Sequence, residues 1–365
     1  MKAIISGGGT GGHIFPAIAI ANALKEHYPD ADILFVGAEG RMEMEKVPAA
    51  GYPIKALPIV GLQRRLTLKN LALPFKLLKS QHIVKGIIRD FHPDIVVGVG
   101  GYASAPTLKT AAKMGYPTLL QEQNSFPGLT NKMLAKNARC ICVAYEGLER
   151  FFPADKIVMT GNPVRSVIEE MHCSREESLA HFGLSSDKPV VLSVGGSLGA
   201  GSINRMILDN MAQFAEHQVQ LIWQTGKQMY EEALQRVKEA GMEQWIKVHQ
   251  FISHMEFAYT AADAIISRAG AIAISELCLV GKPVILIPSP NVAEDHQTKN
   301  ARALSDRGAA LLVADIECHE SGLPTLFQLL DNTERQQEMC DAIRKMARPH
   351  AAEKIVDEIT KILNQ

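Results

Sequence analysis

No run of eighteen apolar residues occurs anywhere in the 365-residue chain, so nothing in the sequence reads as a helix spanning a bilayer. Charge of one sign is also lacking. Lys and Arg number 38 against 39 Asp and Glu, a net −1 that gives no global pull toward nucleic acid and leaves no acidic tail. The six cysteines form no framework. Their one close pair, Cys140 and Cys142, lies in the apolar run "CICVA", which reads as a buried strand in a reducing compartment rather than a disulfide or zinc site. The opening "MKAII" is cut short by glycines and is not read as a secretory signal. What remains is an ordinary globular composition, 47% hydrophobic and 21% charged, at a length that suits two domains.

Short β-branched runs alternate with helix-length amphipathic segments along the whole chain. "KAIIS", "DILFVG", "DIVVGVG", "TLLQE", "CICVA" and "KIVMTG" predict a parallel sheet within residues 1–161. "GNPVRSVI" then breaks the pattern, and residues 162–168 are expected to be an interdomain crossing. A second domain is expected over 169–345, with strands at "KPVVLSV", "QLIWQT", "IKVHQ", "AIIS", "PVILIP" and "ALLVA". Residues 346–365 are expected to form a helix after Pro349, one that could return to the first domain. Both halves open with strand, glycine loop and helix, so the expected architecture is α/β: two Rossmann-like parallel-sheet domains facing a central cleft.

The first glycine loop matches G-x-G-x-x-G through Gly7, Gly9 and Gly12. Glycines let backbone N–H groups approach a phosphate, and the following helix adds the partial positive charge of its N-terminus. A dehydrogenase would need an acid after the second strand, a part open to Glu39. A titratable His13 at the loop's end instead suggests a general base or a substrate contact. The second loop, "GGSLGA", offers the hydroxyl of Ser197 to an oxyanion. In "SRAGAIAISELCLV" a small-residue turn opens a helix fit for a diphosphate. Glu276, set among apolar residues, needs either the two hydroxyls of a ribose or a salt-bridge partner. "NVAEDHQTKNA" crowds Asp295, His296, Gln297 and Asn300 at a loop-to-helix junction. "GVGGYASAP" and "LLQEQNSFPGLTNK" place Tyr102, Glu122, Asn124 and Asn131 near the carboxyl edge of the first sheet, where Glu122 is a second candidate base.

Residues 61–90 carry seven Lys and Arg against one acid, interleaved with leucines. That mixture suits an interfacial segment on an anionic leaflet, and equally a helix with a solvated basic face. Asp30-x-Asp32 has a spacing seen in divalent-cation sites, but it precedes a strand at its amino end and is read as a turn. No metal is expected.

The ordered series "GGGTGGHIFPAIAIA", "GVGGYASAP", "QEQNSFPGLTNK", "TGNPVR", "GGSLGA", "SRAGAIAISE" and "DHQTKNA" resembles the lipid II-forming N-acetylglucosaminyltransferases of bacterial peptidoglycan synthesis, from the first strand past residue 301. The resemblance implies a GT-B fold and an inverting, metal-independent transfer. UDP-N-acetylglucosamine is then the donor and lipid I the acceptor, with no cofactor. It implies donor contacts at Thr10, Gly11, Gly12, Asn124, Arg165, Ser197, Ile252, Ala271, Ile272, Ala273, Ile274, Ser275, Glu276 and Gln297. His13, Glu122 and Tyr102 fall on the catalytic side, with Gly101 and Asn131 toward the acceptor. Lys69, Leu73, Phe75, Lys76, Leu77 and Lys79 then form a patch for an anionic membrane, implying a peripheral enzyme on the cytoplasmic side of the inner membrane with other cell-wall synthesis proteins as partners. This sequence departs from the family at Gln121, where many members have His. It departs again at Leu198 in place of Gln, and at Ala269 and Ala273 in place of a small hydroxyl residue and a Thr. Left open are whether His13 or Glu122 takes the proton, and three rival readings: an epimerase of the same fold, an NAD-dependent oxidoreductase, and a non-catalytic nucleotide-sugar sensor.

Overall fold

The computed structural model describes residues 1–59, 73–196 and 199–365. The chain divides into two compact units, Met1–Val164 with Arg348–Gln365, and Arg165–Ala347.

Unit 1 is built on seven parallel strands: β1 (Lys2–Ser6), β2 (Asp32–Ala38), β3 (Ile54–Leu57), β4 (Ile95–Gly98), β5 (Thr118–Glu122), β6 (Cys140–Val143) and β7 (Ile157–Met159), in the order β3-β2-β1-β4-β5-β6-β7. The strands read as unbroken apolar runs because helices cover both faces. Ala3, Ile5, Phe35 and Val97 point to one face, where the helix Gly11–His27 and the final helix Ala351–Leu363 pack on them. Ile4, Val36, Val96 and Leu120 point to the other, under the helices Leu73–Phe91 and Ser104–Lys113. Sequence patterning missed β3. Only Leu57 of its four residues is buried, so this edge strand has no apolar run to announce it.

Unit 2 repeats the plan with six strands: β8 (Val190–Val194), β9 (Gln220–Gln224), β10 (Ile246–His249), β11 (Ala264–Ser267), β12 (Val284–Leu286) and β13 (Leu311–Leu312), in the order β10-β9-β8-β11-β12-β13. Every pairing is parallel in both sheets. Its largest buried side chain is Trp223, whose indole N–H donates to Asn204 Oδ1 at 3.0 Å.

In each sheet the strand order reverses beside the first strand, between β1 and β4 and between β8 and β11. Ligands of open α/β sheets bind outside the carboxyl ends at such switch points. Both glycine loops and the start of the helix Ala271–Val280 lie there. Asp30 lies in the turn before β2 and Asp32 opens that strand at its amino end, so both stand away from that edge. Among the described residues no helix is long and apolar enough to cross a membrane.

Candidate functional site

In unit 1 two glycine loops are pressed together at the switch point. Gly101 has φ +87°, and a Cβ there would stand 2.3 Å from the carbonyl oxygen of Gly8, so only glycine fits. The contact is needed because β1 and β4 are hydrogen-bonded neighbours whose following loops turn toward each other. Thr10 caps the helix Gly11–His27 with extended backbone, and His13 stands in its first turn. The ring Nδ1 of His13 lies 3.1 Å from the carbonyl oxygen of Gly8 and 3.3 Å from Thr10 Oγ1. A carbonyl oxygen only accepts, so the first of these bonds needs the hydrogen on Nδ1, which puts the lone pair of the neutral ring on Nε2. Nε2 faces Gly100, 2.9 Å from where a Cβ would be. Tyr102, exposed, flanks Gly9.

Glu122, at the end of β5, is 2% exposed and fully engaged. Its Oε1 accepts from Asn124 N (3.0 Å) and Asn124 Nδ2 (3.1 Å), and its Oε2 from Gly128 N (3.2 Å) and Asn131 Nδ2 (2.9 Å). Burial pushes its pKa up, opposed by those four N–H donors. The carboxylate therefore ties down the loop from Asn124 to Asn131. Asn131 is buried beside Gly100, and its Oδ1 has no hydrogen-bond partner among the described residues.

Reasoning from sequence missed Glu43. It is 1% exposed, and its carboxylate accepts from Gly9 N (2.9 Å) and Ala38 N (3.0 Å). The signal was present: Glu43 shares the inward face of the short helix Glu43–Ala49 with Val47, and a carboxylate on an apolar face requires donors.

In unit 2 Arg165 and Glu276 meet. Arg165 Nε and Nη2 donate to Glu276 Oε1 at 3.0 and 2.9 Å, and Nη2 also reaches Oε2 at 3.1 Å. Tyr259 O–H donates to Oε2 at 3.0 Å. Burial, then the Glu276 charge, pushes the Tyr259 hydroxyl well up, so it stays a donor. Glu276 belongs to the helix Ala271–Val280, which Gly270 opens, so Ala271, Ile272, Ala273 and Ile274 supply its first turn. Ser275 turns its hydroxyl back to the carbonyl of Ala271 at 3.1 Å.

At the end of β10, Ile252 N donates to Gln224 Oε1 at 2.9 Å, beside the exposed Phe251. Gln297 Oε1 accepts from Ser289 N at 2.8 Å. Just before it, Glu294 and Asp295 both hold positive φ, +51° and +53°, a backbone that non-glycine residues adopt only under local constraint.

Ser197, Leu198 and Lys69 lie outside the described residues, as does the side chain of Leu73. On the helix Leu73–Phe91, Phe75 and Leu78 are exposed at 76% and 64%, and Lys79 faces solvent. Lys76 is half-buried, and Leu77 packs against the core rather than facing outward, as the helical period requires of one residue in this run.

Residues 3–143 match the glycosyltransferase family 28 N-terminal domain, and residues 190–355 match the glycosyltransferase family 28 C-terminal domain. The chain is 56% identical to the UDP-N-acetylglucosamine--N-acetylmuramyl-(pentapeptide) pyrophosphoryl-undecaprenol N-acetylglucosamine transferase of Parabacteroides distasonis, covering 100% of this chain and 99% of the relative. It is 55% identical to the protein of the same description from Porphyromonas gingivalis, covering 100% and 96%. Among solved structures, Acinetobacter baumannii MurG superposes with a TM-score of 0.80 at 32% identity, covering 99% of each chain. A UDP-GlcNAc 2-epimerase from Neisseria meningitidis shares the fold alone, with a TM-score of 0.66 at 16% identity over 99% of this chain and 100% of the other.

Two parallel sheets, each with a glycine loop and a helix N-terminus at its switch point, define the GT-B class of glycosyltransferases. The chain belongs to glycosyltransferase family 28 and, within it, to the N-acetylglucosamine transferases that these relatives represent.

Proposed function

We propose that the protein transfers N-acetylglucosamine from UDP-N-acetylglucosamine to the muramoyl 4-hydroxyl of lipid I, giving lipid II with inversion at the anomeric carbon. The reading is carried by the 56% identity, over the whole chain, to a relative named for a transfer of N-acetylglucosamine to that class of acceptor. His13 is the base. As the acceptor oxygen attacks the anomeric carbon, its proton passes to Nε2, the carbon–oxygen bond to UDP breaks, and UDP leaves with that electron pair. The tautomer set by Gly8 favours His13 over Glu122, whose oxygens already serve four N–H donors. Glu122 then holds the loop that presents Asn124 and Asn131. Tyr102 and Gly101 stand on the acceptor side, next to the first loop.

The donor side belongs to unit 2. Glu276 takes the ribose hydroxyls, and Arg165 together with the N–H groups of the first turn from Ala271 takes the diphosphate. Arg165 and Tyr259 occupy both oxygens of Glu276. Donor binding therefore exchanges the guanidinium from Glu276 to the diphosphate, which the half-exposed Arg165 side chain permits. Ile252 and Gln297 add donor contacts in unit 2, with Ser197, and Thr10, Gly11 and Gly12 are the donor contacts that the resemblance implies in unit 1.

The acceptor is a lipid, so the enzyme works at the membrane. Phe75 and Leu78 supply apolar contact, and each nearby cation adds about 1 kcal/mol on an anionic surface. This makes the protein a peripheral membrane enzyme facing the cytoplasm, alongside other proteins of cell-wall synthesis.

Labelled UDP-N-acetylglucosamine is incubated with a lipid I analogue, with and without EDTA. Labelled lipid product in both arms is the expected result. Its absence in both would overturn the reading, and its loss with EDTA would overturn only metal independence. Conversion of the donor with no acceptor present would point to epimerase chemistry.

A further inference from the structure

His13 and Glu43 are thirty positions apart, and one peptide group joins them. The carbonyl oxygen of Gly8 faces His13 Nδ1 at 3.1 Å. The N–H of Gly9, on the other side of the same planar peptide, donates to Glu43 Oε2 at 2.9 Å. The other oxygen of Glu43 is anchored by Ala38 N, at the end of β2, at 3.0 Å. The loop is moulded to this carboxylate: a Cβ on Gly8 would stand 2.2 Å from Glu43 Oε1, and one on Gly37 would stand 2.6 Å from Glu43 Cγ. A buried acid is thus held by one strand-end N–H, that of Ala38, and one loop N–H, that of Gly9, with its second oxygen aimed along a peptide dipole at the imidazole.

We propose that Glu43 is a positioning residue for the transfer, acting on His13 through the Gly8–Gly9 peptide. The inference rests on the reading of His13 as the base. A carboxylate accepting the N–H of a peptide polarises that group and makes its carbonyl oxygen a stronger acceptor, because hydrogen bonds in a chain reinforce one another. The stronger acceptor fixes the hydrogen on Nδ1 and stabilises the imidazolium that forms when Nε2 takes a proton. An aspartate bonded directly to histidine does the same in serine hydrolases. Here the peptide intervenes, so the acid stays buried and away from the reacting hydroxyl and the departing diphosphate, where its charge would repel. It also explains why the N–H of Gly9, in a glycine loop of phosphate-binding pattern, is given to a carboxylate of the chain itself. Groups that face the ring include the Thr10 hydroxyl and the Gly100 backbone, with Glu122 acting at one remove through Asn131.

The test records imidazole nitrogen shifts of His13 against pH in the full chain, together with steady-state kinetics of the transfer. Glu43→Gln keeps the size but presents an N–H₂ to one of two backbone donors. It should mix the His13 tautomers, move the ring's titration to lower pH, and lower kcat about 10- to 100-fold, on the order of the cost of losing a group that orients a metal-bound histidine. The acid limb of the kcat profile should follow, with donor KM little changed. Glu43→Asp retains the buried charge but withdraws it from Gly9, so it tests the same point where the glutamine variant folds poorly. In a His13→Ala background Glu43→Gln should cost no further activity. An unchanged tautomer and unchanged acid limb in either folded variant would overturn the relay. Near-wild-type turnover of His13→Ala would instead sink His13 as the base, leaving the nitrogen shifts to judge the coupling by itself.

Discussion

At the residue scale, the two candidate bases differ in what their lone pairs are doing. His13→Ala should lower turnover about 10²-fold with folding intact, since its ring is half-buried and its loss opens no core. Glu122→Ala should also lower turnover, but with a clear fall in thermal midpoint, because it removes the buried acceptor of four N–H bonds from Asn124, Gly128 and Asn131. Parallel melting curves separate a chemical from a supporting role. On the donor side, Glu276→Ala should chiefly raise donor KM, since ribose contacts persist from ground state to transition state. Tyr259→Phe removes a buried O–H bond to that carboxylate and should cost about 1.5–3 kcal/mol in a denaturant titration, again with donor KM raised.

At the element scale, glycine positions in unit 1 are not equivalent. Gly101→Ala would drive a methyl into the Gly8 carbonyl and displace the peptide that faces His13, so activity should collapse. Gly40→Ala, at φ +67° with nothing within 4 Å, should cost about 1 kcal/mol in stability and leave turnover alone. In unit 2, β10 ends on His249, whose Nε2 is buried with no hydrogen-bond partner among the described residues and whose pKa is lowered by burial and then by His181. A depressed histidine contributes stability above its unfolded value near 6.5 and loses it as pH falls through the folded value. Melting midpoints of the wild type should therefore drop on acidification below about pH 6.5, and His249→Asn should flatten that slope. The same scale shows what patterning could read. Strands such as Ile95–Gly98 are buried throughout and stood out as apolar runs, whereas Ile54–Leu57 alternates I-K-A-L at an edge and did not.

At the scale of the whole molecule, the chain leaves unit 1 at Val164 and re-enters it at Arg348. Ile355, Val356 and Ile359 of the last helix are buried in the same cluster as Ile5 and Phe35, and Tyr28 O–H bonds Thr360 Oγ1 at 2.7 Å. Burying three such side chains contributes about 1.5–3 kcal/mol each, a sum comparable with the ~5–15 kcal/mol that holds a domain together. A fragment ending at residue 164 should therefore lack cooperative unfolding by calorimetry, and adding a peptide of residues 348–365 should restore it. A sharp transition in the fragment alone would show that the helix is dispensable.

The sequence by itself determined the class of fold, both glycine loops, the basic leucine-rich segment and the family, because these rest on local patterns: apolar runs, turn residues and ordered motifs. It singled out His13 and Glu276 from their residue types and surroundings. Only the tertiary structure decided what their atoms do, since a carboxylate's role depends on which donors reach it, and those come from distant positions. Glu122 is saturated by its own loop, and Glu276 is held by Arg165 and Tyr259, 111 and 17 residues away. Glu43 gains its place through Gly9, 34 residues away, because parallel strands bring their carboxyl ends to one edge whatever their separation along the chain.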